Sequence, residues 1–210
     1  MTFSVISRTS PLFLASSSPR RKTLLRQIGL PFRSFSSAVD ENLSEGDPAH
    51  TACVLAENKA RRVLNRSKGN WILGADTMVI LGDAVLGKPE SREEAGSMLL
   101  RLSAREHRVI TGFCLIDPSG QTAHSEAVVT RVQMKKLSEE EIQRYVASGE
   151  PFGKAGGYAI QGLGAFMVES ISGSYTNVVG LPLCALLKAL LVTGALEIFP
   201  LTADASLPRG

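Results

Sequence analysis

Leu12-Phe13-Leu14-Ala15-Ser16-Ser17-Ser18-Pro19-Arg20-Arg21-Lys22 is an apolar run, a serine turn and a helix start in immediate succession. Four apolar residues suit a first buried strand. Ser18 is a good N-cap, because its hydroxyl can accept from a free backbone N–H, and Pro19 suits the first helical position, where no donor is needed. The spacing of Leu24, Leu25 and Ile28, closed by Gly29, then supplies an apolar face and a stop. The charges are the unexpected part. A helix N-terminus already carries partial positive charge and normally recruits Asp or Glu, yet this one adds Arg20, Arg21 and Lys22. Free N–H groups, serine hydroxyls and a guanidinium fork together suit a phosphate group. An exposed basic turn screened by salt is the alternative.

Outward from this stretch, strand-like and helix-like segments alternate. Residues 32–36 resume an extended pattern, and a polar loop with Asp40 and Glu41 follows. Val54, Leu55, Ala56, Ala60, Val63 and Leu64 predict a helix over 48–66 with a basic outer face. Residues 71–75 are a short apolar strand ending at Asp76. Residues 78–81 and 84–86 flank Gly82-Asp83 as a hairpin. Ser91 with Glu94, and Ser138 with Glu141, open two further helices in capping-box pattern, the second running to about residue 148. Between them, 108–117 and 123–134 alternate as long strands joined at Pro118-Ser119-Gly120. A glycine-dense segment, 153–164, precedes an extended stretch at 166–170, a polar segment at 173–180 and a last helix over 181–192. This pattern predicts an α/β fold, a single mixed-sheet domain over 12–199 with helices packed around it. Residues 1–11 read as an N-terminal extension and 200–210 as a disordered tail.

At 210 residues and 44% hydrophobic, the chain can bury a substantial core. Its net charge of +3 is interleaved, and aromatics make up 6%, so neither the long basic stripe nor the stacking aromatics of a nucleic-acid module are present. The longest apolar stretch, 181–192, contains Lys188 and is shorter than a membrane span. The run at 12–15 is too short for a signal-peptide core. Cys53, Cys114 and Cys184 are widely spaced, without a zinc or redox pattern, and read as small buried hydrophobes in a reducing compartment. A cytoplasmic protein is expected.

Three further segments carry candidate chemistry. In Gly74-Ala75-Asp76-Thr77, a carboxylate and a hydroxyl stand where a strand gives way to a loop and can face a cleft; a turn-forming Asp reads equally well. Lys88, twelve residues on, could meet a second phosphate as a point charge, or be a solvated turn lysine. In Lys154-Ala155-Gly156-Gly157-Tyr158-Ala159-Ile160-Gln161-Gly162, glycines permit close approach of backbone to ligand, and a strand ending at Gln161 could present one amide to a planar base. A glycine-rich hairpin with a surface glutamine is the alternative.

Taken in order, these pieces resemble the Maf family of nucleotide pyrophosphatases. The matching segments are Leu14-Ala15-Ser16-x-Ser18-Pro19-Arg20-Arg21, Ala56-x-x-Lys59-Ala60, Gly74-Ala75-Asp76-Thr77, Lys88-Pro89, Ala155-Gly156-x-Tyr158-x-Ile160-Gln161-Gly162, and Gly173-Ser174-Tyr175 through Gly180-Leu181-Pro182. The resemblance implies an α/β fold with a central nucleotide cleft, shared with inosine triphosphate pyrophosphatases, and metal-assisted hydrolysis of nucleoside triphosphates to monophosphate and pyrophosphate. Asp76 matches the proton acceptor for the attacking water, and Glu41 with Asp76 would hold Mg²⁺ or Mn²⁺. Arg21, Lys59 and Lys88, with Ser16 or Ser18, would bind phosphates. Arg20, Thr77 and Gln161 match the three positions that mark the branch acting on dTTP and UTP. A glutamine amide can accept from uracil or thymine N3–H and donate to a ring carbonyl; turned over, it matches cytosine, so CTP is an expected partial substrate. Gly153 departs from the acidic residue common there in the family. A homodimer is the assembly the resemblance implies. The alternative function is a nucleotide-binding regulator of cell division and septum formation, which would need neither Asp76 nor a metal.

Overall fold

Seven strands form one mixed sheet in the computed structural model, which describes residues 4–37 and 46–201. Strand β1 (Leu12–Ala15) leads into helix α1 (Pro19–Gln27) and returns as β2 (Phe32–Phe35), parallel to β1. Helices α2 (Pro48–Arg62) and α3 (Leu64–Ser67) then cross to β3 (Ile72–Leu81), which is parallel to β1 on its other side. The remainder is antiparallel: the short β4 (Ala84–Leu86), helix α4 (Arg92–Leu102), β5 (Glu106–Ile116), β6 (Thr122–Met134), helix α5 (Glu139–Ala147) and β7 (Val168–Ser172). Two helices close the fold, α6 (Tyr175–Val179) and α7 (Leu183–Val192). The order across the sheet is β2-β1-β3-β5-β6-β7, with β4 also on β3.

Alternation along the strands sorts the core into faces. Leu12, Leu14, Leu73 and Leu115 point to one side, where Leu24 and Leu25 of α1 and Leu186 and Leu190 of α7 cover them. Phe13, Ala15, Ile72 and Cys114 point to the other, against Ala56 and Ala60 of α2. Helices α4 and α5 pack through Leu99, Ile142 and Val146 onto Val79, Val109 and Val132. Part of the N-terminal extension belongs to this body. Ile6 is buried and donates its N–H to Ala195 O at 2.8 Å, and Trp71 Nε1 donates to Ser4 O at 3.1 Å.

The three helix starts read from serines are present. Ser18, Ser91 and Ser138 accept from Arg21 N, Glu94 N and Glu141 N, and Ser138–Glu141 is a full capping box. Other expectations change. The helix expected over 48–66 breaks at Val63 into α2 and α3. The 153–164 segment holds no strand: Gly156 (φ 71°) and Gly157 (φ 68°) turn it back on itself, and two 3-10 turns replace extended chain. The polar segment at 173–180 contains a helix, α6. Cys114 is buried, but Cys53 is half-buried and Cys184 exposed, so the buried reading holds for Cys114 alone. The expected tail from 202 onward lies outside the described residues, as does Glu41.

Candidate active site

Strand β3 creates the site through a gap at its edge. On that edge β1 pairs with Ile72, Leu73 and Gly74, and β4 pairs with Val79, Ile80 and Leu81. Between the two, residues 75–78 have no described strand partner there, while β5 pairs the opposite edge of β3 from Ile72 to Ile80. Asp76 and Thr77 therefore sit within a continuous strand, not at its end as the sequence led us to expect. They reach open space because a neighbouring strand is missing beside them, in the kind of crevice beyond a parallel strand's carboxyl end where α/β sheets bind ligands.

A cleft of about 450 Å³ opens at this gap. Its described lining includes five basic side chains, Arg20, Arg21, Lys59, Lys88 and Lys154, and one carboxylate, Asp76. The serine turn and the start of α1 form one wall, and the 153–161 segment forms the other. A cleft of this size with so unequal a charge balance suits a multiply charged anion with an organic body.

On the floor, Lys59 Nζ lies 2.5 Å from Asp76 Oδ1, with both side chains only about a tenth exposed (11% and 10%). Two glycines make this pair. A Cβ on Gly74 would lie 1.9 Å from Ala56 O, and one on Gly112, the β5 partner of Asp76, 2.3 Å from the Ala52 carbonyl carbon. Without side chains at those points α2 settles directly onto the sheet, which brings Lys59 to the carboxylate. The bond occupies Oδ1 and leaves Oδ2 for another partner.

The basic wall is knitted by Arg21, which is buried. Its Nε donates to Gly180 O at 2.7 Å, Nη1 to Ser16 Oγ at 3.2 Å and Nη2 to Thr77 Oγ1 at 3.0 Å. Thr77 continues to Thr111 Oγ1 at 3.0 Å, and Thr111 donates to Asn177 O at 3.1 Å. One hydroxyl chain thus ties α1, β3, β5 and α6 together. Ser16 Oγ also accepts from Ser18 N at 3.2 Å. Arg20 Nε reaches Val179 O at 3.4 Å. Burial lowers the Arg20 pKa from its usual value, against the raising influence of Tyr145 and Glu150. Burial and then Arg20 lower that of Lys154. A bound anion would relieve both.

On the facing wall, Gln161 is half-buried and lines the cleft, and its amide has no hydrogen-bond partner among the described residues. Tyr158 also lines the cleft, its hydroxyl 2.7 Å from His107 Nε2. Burial pushes the His107 pKa down to about 4, and its Nδ1 is buried without a partner among the described residues. Six of the expected site residues share the cleft lining with Asp76 and Thr77: Ser16, Ser18, Arg20, Arg21, Lys59 and Lys88, and Gln161 faces them. The sequence reading gave Lys154 and Tyr158 no role. A lysine opening the glycine segment was the available signal for Lys154; Tyr158 lay in the stretch expected as a strand ending at Gln161.

A profile of Maf-like proteins matches residues 11–192. The chain belongs to the Maf family. Among curated relatives, a dTTP/UTP pyrophosphatase of Syntrophotalea carbinolica is 48% identical, covering 90% of this chain and 88% of that protein. Another of that name from Ruminiclostridium cellulolyticum is 50% identical over 82% of this chain and 90% of its own. Among solved structures, a dITP/XTP pyrophosphatase from Mycobacterium abscessus aligns with TM-score 0.46 and 13% identity, covering 87% of this chain and 94% of that one. No helix among the described residues is long and apolar enough to cross a membrane.

Proposed function

We propose that the protein is a nucleoside triphosphate pyrophosphatase that hydrolyses dTTP and UTP, and CTP less well, to the monophosphate and pyrophosphate. The observation that carries this reading is one cleft whose described lining has five cations, a single carboxylate on its floor and, on its far wall, an amide without a partner among the described residues. The cations suit a triphosphate and the amide a pyrimidine edge. Kinship of nearly half the residues with proteins named dTTP/UTP pyrophosphatases supports that choice of base.

The donor set bears on the metal. Among the described residues no three His, Cys, Asp or Glu side chains gather as a cage, and Asp76 is the one described carboxylate in the lining. That fits Mg²⁺ or Mn²⁺, hard cations held by one or two carboxylates together with substrate phosphates and water. Asp76 is the first candidate ligand and Glu41 the second. Such an ion, when bound, neutralises phosphate charge and makes the α-phosphorus more electrophilic.

The chain's own groups supply the rest. Asp76 Oδ2 accepts a proton from water as the water oxygen bonds to the α-phosphorus. The bond from that phosphorus to the bridging oxygen breaks, and pyrophosphate leaves with the electron pair. Lys59 fixes the carboxylate through Oδ1. Arg21, Lys88 and the serine turn with Ser16 and Ser18 hold the phosphates, while Arg20, Thr77 and Gln161 set the base preference.

Pyrophosphate release with Mg²⁺ or Mn²⁺ across dTTP, UTP, CTP, GTP and 7-methyl-GTP tests this. Turnover of dTTP and UTP is expected, with Asp76→Asn losing about 10²–10⁴-fold in kcat while nucleotide still binds. Turnover of 7-methyl-GTP alone would overturn the Arg20, Thr77 and Gln161 assignment. Binding without turnover in the unaltered protein would replace the enzyme with a nucleotide-responsive regulator.

A further inference from the structure

The arc from Ala159 to Gly164 carries Gln161, yet it contains no strand or α-helix to fix it. Its backbone is held instead by two side chains that do not line the cleft. Tyr145, at the end of α5, receives Ala159 N–H on its hydroxyl at 3.3 Å and donates to Glu150 Oε1 at 3.0 Å. Glu150 in turn accepts from Leu163 N at 3.0 Å through Oε2 and from Gly164 N at 2.9 Å through Oε1. The arc is thus gripped on both sides of Gln161 by one hydrogen-bonded pair.

Two glycines fit the arc to that grip. A Cβ on Gly162 (φ +81°) would lie 2.6 Å from Glu150 Oε2, and one on Gly164 would lie 2.8 Å from the Tyr145 hydroxyl and 2.4 Å from Ala159 O. The arc can close on the pair only because both positions lack side chains. Burial works against the Glu150 charge, but the Gly164 and Leu163 N–H groups and the Tyr145 hydroxyl outweigh it and hold the carboxyl below its ordinary pKa. The same two residues bear electrostatically on Arg20 across the cleft mouth. Lys154 donates to the Glu150 backbone carbonyl, which fastens the chain entering the arc.

We infer that Tyr145 and Glu150 are positioning residues for base recognition, acting through the backbone on either side of Gln161 to aim its amide at the pyrimidine edge. This rests on the base-reading role proposed for Gln161. Removing one bond of the grip lets the arc shift, so the amide spends less time in the geometry that distinguishes uracil from guanine. Neither side chain lines the cleft beside Ser16, Ser18, Arg21 and Lys88, the groups proposed to hold the phosphates. Discrimination should fall while the chemical step does not.

The test compares kcat and KM of the unaltered protein, Tyr145→Phe, Glu150→Gln and Gln161→Ala on UTP, GTP and ribose 5-triphosphate, which has no base. In Tyr145→Phe and Glu150→Gln the KM for UTP should rise about five- to tenfold, as loss of one hydrogen bond to the arc predicts, with kcat within about twofold. The preference for UTP over GTP should shrink by the same factor, and the KM for ribose 5-triphosphate should stay put. A general loosening of the fold would instead raise all three KM values together, and that result overturns the inference. So does an unchanged UTP preference in both clamp variants while Gln161→Ala loses it; in that case the role of Gln161 survives. If Gln161→Ala itself keeps the preference, the base-reading assignment fails and the clamp role with it. Tyr145→Phe removes only a hydroxyl, so it decides the matter alone if Glu150→Gln does not fold.

Discussion

On the basic wall of the cleft, Ser16, Ser18 and Arg21 hang from a strand and a helix whose own hydrogen bonds fix them, and Asp76 stands on the longest parallel-edged strand in the sheet. On the facing wall, Gln161 hangs from 3-10 turns that borrow their order from Tyr145, Glu150 and the His107–Tyr158 contact. The first wall is rigid because regular structure passes beneath it. The second is only as rigid as a few side chains make it. Such a division suits a site in which the phosphates are common to every nucleotide and the base is what differs, since adjustment of one wall can change selectivity without disturbing the chemistry.

The strongest way to break that comparison is at the floor, which both walls share. Lys59→Met leaves the Asp76 carboxylate nine-tenths buried beside an apolar chain, and breaking a buried pair from one side costs about 3–5 kcal/mol. Urea unfolding should register this loss, and turnover should fall for UTP and GTP alike. A variant of undiminished stability would show that solvent, not Lys59, satisfies the carboxylate. Gly112→Ala attacks the same contact indirectly. Its Cβ meets the Ala52 and Cys53 backbone at 2.3–2.5 Å, which α2 can relieve only by lifting off the sheet. About 3 kcal/mol of stability should be lost, the upper end for overpacking, together with the Lys59 contact.

How much of this was legible follows from the same contrast. Helix starts at Ser18, Ser91 and Ser138 were readable because a cap and the N–H it accepts lie within three residues of each other. The strand 72–81 was not, because Asp76 breaks the apolar run and nothing local says that β5 continues to pair it. Its exposure to the cleft comes from β1 and β4 sharing one edge, a fact of topology that no window of sequence contains. The 153–164 segment misled for a different reason: Tyr158, Ala159 and Ile160 have strand composition, but the positive φ of Gly156, Gly157 and Gly162 forbids it. Helix α6 is five residues long, too short to show a period. The grouping of Ser16, Arg20, Arg21, Lys59, Lys88 and Gln161 came from the order of motifs that resembles the family, whereas Tyr145 and Glu150 carry no pattern of their own.

Acid should test the packing beneath the facing wall. His107 is held neutral by burial at a pKa of about 4, against an ordinary 6.5. The unfolded chain then binds the extra proton between those values, so this group's contribution to stability is fully present above about pH 6.5 and is lost as pH falls towards 4. From pH 7 to pH 5 the loss is about 2 kcal/mol. The decline should be shallower by that amount in His107→Phe than in the unaltered protein when unfolding free energies are compared at both pH values. Equal declines would mean that His107 gains a partner on protonation. Because the folded-state imidazole stays neutral down to about pH 4, this decline is one of stability, and the His107–Tyr158 contact itself is unchanged at pH 5.

The smallest effect discriminates between stability and site geometry. Ser18→Ala removes the cap at the start of α1, and Ser91→Ala removes the equivalent bond at α4, whose first residue does not line the cleft. An N-cap is ordinarily worth about 1 kcal/mol. The Ser18 bond to Arg21 N is long at 3.5 Å, against 3.1 Å for Ser91 to Glu94 N, so Ser18→Ala should cost the lesser part of that range. Its consequence for function should nonetheless be the greater. Ser18 sets where the first turn of α1 begins, and the next three positions deliver Arg20 and Arg21 to the cleft. KM should therefore rise for UTP, GTP and ribose 5-triphosphate together in Ser18→Ala, and for none of them in Ser91→Ala, despite the larger stability loss there. A common rise is the signature of the basic wall, just as a rise confined to UTP is that of the wall gripped by Tyr145 and Glu150. If Ser18→Ala changed base preference instead, the two walls would be mechanically coupled through Arg20, which feels Tyr145 and Glu150 from across the cleft.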